Sequence, residues 1–149
     1  MGDVEGSLAD FSRVIHLQPT WADAYANRAA VRGEKGDVEG ALEDCNEAIR
    51  LDPKSAGAFL NRGHARKVLG DFAGALEDYD QAIALKPDYA DAFISRSTLR
   101  AAKRDLEGVT ADLEEAARLD PEKVAAFGDR LLSAAKVRGQ GPGDCSAGV

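Results

Sequence analysis

Four prolines constrain this chain more than any other feature. Pro19, Pro53, Pro87 and Pro121 stand 34 residues apart, and each closes a similar phrase: VIHLQP, AIRLDP, AIALKP and AARLDP. Four matches at one spacing, with no insertion between them, define a tandem array in which each copy of a small unit packs on its neighbours. With the proline set at repeat position 32, Ala22, Ala56 and Ala90 fall at position 1. The chain then divides into a half repeat over 1–21 holding a second helix only, and whole repeats at 22–55, 56–89 and 90–123. A C-terminal capping helix over 124–138 and a disordered tail over 139–149 follow. That tail is rich in glycine and has too little apolar surface to order itself.

Each unit reads as two helices. In the first, Tyr25, Phe59 and Phe93 recur at position 4, and Ala29, Gly63 and Ser97 at position 8 leave room for a close neighbour. In the second, Leu42 and Leu76, Ala48, Ala82 and Ala116, and Leu51, Leu85 and Leu119 keep helical spacing. Gly36-Asp37 and Gly70-Asp71 supply a left-handed stop followed by an N-cap acceptor. The last whole unit has Arg104-Asp105 there, at a cost of about 1 kcal/mol for a side chain at positive φ, so this turn is expected to be the least regular. Gly6, Gly40, Gly74 and Gly108 share position 19, marking either a close backbone approach or a first turn that tolerates glycine. Helices this short are marginal alone, and burial of each Phe, Leu or Ile contributes about 1.5–3 kcal/mol, so stacking must hold them.

Charge and cysteine content narrow the function classes. A formal charge of −7 disfavours nucleic acid and anionic membrane, whose affinity comes from clustered Lys and Arg, and leaves a neutral or basic protein or peptide as the expected partner. Cys45 and Cys145 lie far apart without ligand spacing, so neither a metal nor a disulfide framework is expected. No basic stretch followed by an apolar run opens the sequence, which reads as cytoplasmic. A nucleophile beside a base, a carboxylate pair and a phosphate loop are all missing, so a non-catalytic protein without cofactor is expected. His64, with no motif around it, reads as a solvated residue and not as a base.

The aromatic at position 4, small residues at 8, 20 and 27, glycine at 15 and proline at 32 resemble the tetratricopeptide repeat family across roughly residues 2–123. The resemblance implies an all-α fold, a right-handed superhelical solenoid of antiparallel helix pairs, with first helices lining a concave groove that binds a partner segment. It also exposes departures. Where the family has Leu and Tyr at positions 7 and 11, this chain has Arg28 and Arg32, Arg62 and Arg66, Arg96 and Arg100. Position 23 holds Asp10, Asp44, Asp78 and Asp112, so the arginines, sharing a helix face at i,i+4, are expected to pair with Asp44, Asp78 and Asp112 as structural ion pairs. An anion site is the alternative.

Groove positions implied by the resemblance hold Asn27, Leu60, Asn61, His64, Ile94, Ser95 and Thr98. Asn27 and Asn61 each offer a donor and an acceptor to a peptide backbone. They resemble the asparagine ladder of the repeat arrays in glycosyltransferases that modify protein serines, and Ser95 breaks that ladder. Leu60 and Ile94 would form an apolar strip, or pack between first helices. The two-carboxylate clamp of chaperone-binding members is not matched: its five places hold Ala26, Ala30, Asn61, Asp91 and Ser95. Binding to acidic chaperone tails is therefore not expected. The runner-up function is self-association, as a homodimer or longer array, through the half repeat whose Leu8, Phe11, Val14 and Ile15 lack a covering helix.

Overall fold

The structure, a computed structural model, describes residues 3–139; the expected tail from 140 onward lies outside the described residues. Eight helices are described: α1 (Val4–Leu17), α2 (Ala22–Lys35), α3 (Val38–Leu51), α4 (Ala56–Val68), α5 (Phe72–Leu85), α6 (Ala90–Ala102), α7 (Leu106–Leu119) and α8 (Pro121–Gly139). They pack as consecutive antiparallel pairs, α2 with α3, α4 with α5 and α6 with α7, and each pair leans on the next. None of the described helices is long and apolar enough to cross a membrane.

The turn chemistry repeats with the sequence. Asp3, Asp37, Asp71 and Asp105 cap α1, α3, α5 and α7 by accepting from the amides of Gly6, Gly40, Gly74 and Gly108 at 2.9–3.0 Å. The recurrent glycine lies against that cap: a Cβ on any of the four would sit 2.1–2.3 Å from the capping carboxylate oxygen, which would have to turn aside. Within the pairs, Gly36 and Gly70 hold φ of 90° and 85°, the left-handed region. Arg104 takes φ 60° in the same place, and its turn closes as the others do. Asp105 N donates to Arg100 O at 3.0 Å, matching the 2.9 Å bonds from Asp37 to Arg32 and Asp71 to Arg66. The expected irregularity is therefore absent, because the Asp105 cap and Arg100 hold the turn in the shared geometry.

The core is mostly alanine, which brings helix axes close. Its largest cluster joins Leu60, Ala75, Tyr79, Ala82, Ala92 and Leu99, with Phe59, Leu76, Ile83 and Tyr89 around it. Positions 8 and 24 compensate each other in volume. Ala29 packs with Cys45, whereas Gly63 faces the ring of Tyr79, which would lie 2.5 Å from a Cβ added there. Burial pushes the Cys45 thiol up to about 12, so it is an inert packing group. The Tyr79 hydroxyl is buried without a hydrogen-bond partner, and burial raises its pKa as well.

One boundary differs from the sequence reading. At the first three prolines a turn intervenes before the next helix, and Ser55 caps α4 by accepting from Ala58 N at 3.3 Å. At the fourth, α8 begins at Pro121 itself and not at 124, with Asp120 accepting from Lys123 N at 3.1 Å. Proline, with φ already fixed near the helical value and no N–H to satisfy, is accepted at this first helical position. Phe127 is half-buried, and Asp129 and Arg130 are exposed; the side chains of Leu131, Leu132, Lys136 and Arg138 lie outside the described residues.

Candidate functional site: the face of the first helices

Two groups of residues meet the first helices, one between each helix and its partner, the other along the opposite, hollow side. Between the partners, three clasps repeat. Arg28 reaches Asp44 at 2.7 Å and Arg32 reaches its other oxygen at 3.0 Å; Arg62 and Arg66 hold Asp78 at 2.8 and 3.0 Å; Arg96 and Arg100 hold Asp112 at 2.6 and 3.0 Å. The three aspartate side chains are 2–5% exposed. Each position-7 arginine also lies over its own position-4 ring, 5.3–5.8 Å from the centroid of Tyr25, Phe59 or Phe93.

The same arginines reach back one unit. Arg28 donates to Ser12, Arg62 to Asn46 and Arg96 to Asp80, at 3.2, 3.1 and 2.8 Å. Each position-11 arginine donates to the carbonyl of the position-19 glycine, at 3.2, 3.4 and 3.2 Å, and approaches the capping aspartate at 3.7–3.8 Å. One clasp thus ties three helices and a cap. The position-7 guanidiniums each spend Nε, Nη1 and Nη2 on protein oxygens, whereas the hydrogen bonds of the position-11 guanidiniums run through Nη1. Charge-assisted hydrogen bonds to Asp44 and Asp112 raise the pKa values of Arg28 and Arg96.

On the other side, the candidate groove residues divide by contact. Asn27 is exposed, with no hydrogen bond among the described residues. Asn61 is half-buried and its amide donates to Ala26 O at 3.2 Å, so part of its capacity straps α4 to α2. His64 is half-buried, not solvated: Nε2 lies 2.9 Å from Ser95 Oγ, and the ring stands edge-on to Tyr79 at 5.6 Å. Burial, with Lys67 nearby, holds its pKa below the ordinary imidazole value. No carboxylate hydrogen-bonds the other ring nitrogen among the described residues, so the pair lacks the third group that orients a catalytic base. Thr98 Oγ1 donates to Ser95 O at 2.7 Å and is taken up within its own helix. Leu60 is 5% exposed and belongs to the core, with only an edge toward the hollow; Ile94 is half-buried beside it.

Two hollows follow this side, both walled by Asn61 and His64. The first, about 440 Å³, lies between α2 and α4 and is floored by Ala29, Ala30, Gly33, Ala65 and Val68, with Glu34 at its rim. The second, about 630 Å³, lies between α4, α6 and α8 and is more polar: Asp91, Ser95, Lys123 and Arg130 line it. Lys123 Nζ meets Asp91 at 2.9 Å, joining α8 to α6 across this hollow. Sequence reasoning placed neither Lys123 nor Arg130 on this side, because α8 was read as a cap and not as a wall.

Comparison with known proteins accounts for the frame. The family model described as tetratricopeptide repeat matches residues 22–55 and 56–89. No curated protein matches the sequence. Among solved structures, the Arabidopsis OM64 TPR domain is 32% identical at a TM-score of 0.61, over 63% of this chain and 78% of that one. The first TPR of Spaghetti (RPAP3), bound to the HSP90 peptide SRMEEVD, is 26% identical at a TM-score of 0.66, over 78% and 93%. MamA has the same fold at 20% identity and a TM-score of 0.70, over 83% and 72%. The repeat matches, the helix pairs and these likenesses together establish that the chain belongs to the tetratricopeptide repeat family.

Proposed function

We propose that the chain is a non-catalytic protein-interaction module that takes a partner segment along the first helices, from the α2–α4 hollow to the one beneath α8. The observation that carries this reading is that Asn61 and His64 line both hollows, one with an apolar floor and the other with polar walls. A hollow floored by alanine, glycine and valine suits one large apolar side chain, while the free Asn27 amide and the remaining Asn61 oxygen suit a peptide backbone. The net charge of −7 favours a partner segment that is neutral or basic overall.

The Spaghetti relative holds an HSP90 peptide, yet this chain has Ala26, Ala30, Asn61, Asp91 and Ser95 at the clamp places, and Asp91 engages Lys123. An acidic chaperone tail is therefore not the ligand we propose. The test uses Gly33→Trp, which plugs the α2–α4 hollow where a Cβ meets nothing within 4 Å and φ is not positive. Partners captured by the native chain and lost to Gly33→Trp and Asn27→Ala would support the groove. Equal capture by all three proteins would sink it, as would micromolar binding of an acidic chaperone-tail peptide sink the choice of ligand.

A further inference from the structure

The position-23 aspartates do not all have the same fate. Asp44, Asp78 and Asp112 are buried under two arginines each, whereas Asp10, 34 residues before Asp44, is exposed on α1 and no cation reaches it among the described residues. The surface around Asp10 is equally incomplete. Phe11 is half-buried where Cys45 and Tyr79 are 0% exposed, Val14 is half-buried where Ala48, Ala82 and Ala116 are 0%, and Leu17 is 71% exposed. The Asp3 cap and the Gly6 carbonyl are arranged as in the other units, but no arginine donates to that carbonyl among the described residues. Helix α1 thus presents the receiving half of a clasp: a carboxylate, a glycine carbonyl, a capping carboxylate and an apolar slot.

The donating half lies at the other end. Phe127 and Arg130 stand 34 residues after Phe93 and Arg96, so α8 repeats the aromatic and the arginine of a first helix. It is also placed as one: Lys123 meets Asp91 of α6 where, one unit earlier, the Tyr89 hydroxyl approaches Gly57 of α4. Sixteen residues beyond Arg28, Arg62 and Arg96 stands the aspartate each one holds; sixteen beyond Arg130 stands Ser146. Arg130 is exposed and borders the second hollow without an anionic partner among the described residues.

We propose that copies of this chain associate head to tail, α8 of one copy lying across α1 of the next, with Arg130 of the first entering Asp10 of the second as Arg96 enters Asp112. The contact rebuilds the position-4 and position-7 part of a repeat from two chains, while Ala134 stands where Arg32, Arg66 and Arg100 would reach the glycine carbonyl. Because it joins unlike surfaces, each added copy leaves one receiving and one donating face, and the assembly grows until a ring closes or continues as an open array. Charge complementarity selects this occupant: two α1 faces brought together would set Asp10 near Asp10 and offer no aromatic-arginine pair.

Sedimentation velocity and light scattering on the full chain, from micromolar to millimolar concentration, provide the test. The expected result is an average mass that climbs with concentration beyond the dimer. Asp10→Arg and Arg130→Asp, both at exposed sites, each weaken association by roughly tenfold or more while helicity and melting temperature stay native. Association returns in the double variant and in a mixture of the two single variants, since each restores opposite charges across the contact. A chain that stays monomeric throughout overturns the proposal and means that something else covers α1. Undiminished association of Arg130→Asp overturns it too, and assigns the contact to α1 alone.

Discussion

Replacing Asp78 by asparagine keeps the shape of the central clasp and removes its charge. The carboxylate accepts from Arg62 Nη2 at 2.8 Å and Nε at 3.0 Å, and from Arg66 Nη1 at 3.0 Å, with the aspartate side chain 2% exposed and the arginines 17% and 27%. Breaking a buried ion pair from one side costs about 3–5 kcal/mol. Here both guanidiniums keep some water, and Arg62 keeps Asn46 and the Phe59 ring, so we expect a loss of about 2–3 kcal/mol. For a chain of this length that lowers the melting temperature by about 5–10 °C. Circular dichroism of thermal unfolding on dilute samples, where copies are apart, reads it with Asp10→Asn as the internal control: same repeat position, no arginine of its own chain among the described residues, and an expected melting temperature equal to native. Equal shifts at Asp10 and Asp78 would refute the reasoning, since the cost would then belong to the helix position and not to the clasp. A triple change of Arg62→Met, Arg66→Met and Asp78→Leu should regain most of the loss, as expected if the clasp sets register more than it adds stability.

Three further outcomes are expected. Gly63→Ala drives a Cβ to 2.5 Å from the Tyr79 ring and should destabilise by about 1–3 kcal/mol in urea unfolding; a neutral result would mean that the ring moves freely. Arg104→Gly relieves a side chain at φ 60° and should stabilise by about 1 kcal/mol, whereas any loss would show that the turn depends on the arginine itself. Because burial depresses the His64 pKa, the unfolded chain binds more protons below about pH 6.5, and stability should fall as pH drops through that point until the folded imidazole also protonates. His64→Gln should flatten this part of the profile, and an unchanged slope between pH 5 and 6.5 would place its origin elsewhere.

The sequence alone determined what recurs inside a unit. Proline spacing, the glycine-aspartate turns and the apolar positions delimited the helices, because those signals act over a few residues and the same chemistry is written four times. The arginine-aspartate pattern is local in the same way: two arginines at i,i+4 share one helix face, and one short turn brings the aspartate of the next helix opposite both. Tertiary structure decided what passes between units. That His64 meets Ser95, that Asn61 spends its amide on Ala26, that Leu60 sinks into the core and that α8 walls the second hollow all depend on the offset between neighbouring pairs. No local signal encodes that offset; it emerges from how alanine, glycine and tyrosine volumes fit together when the pairs stack.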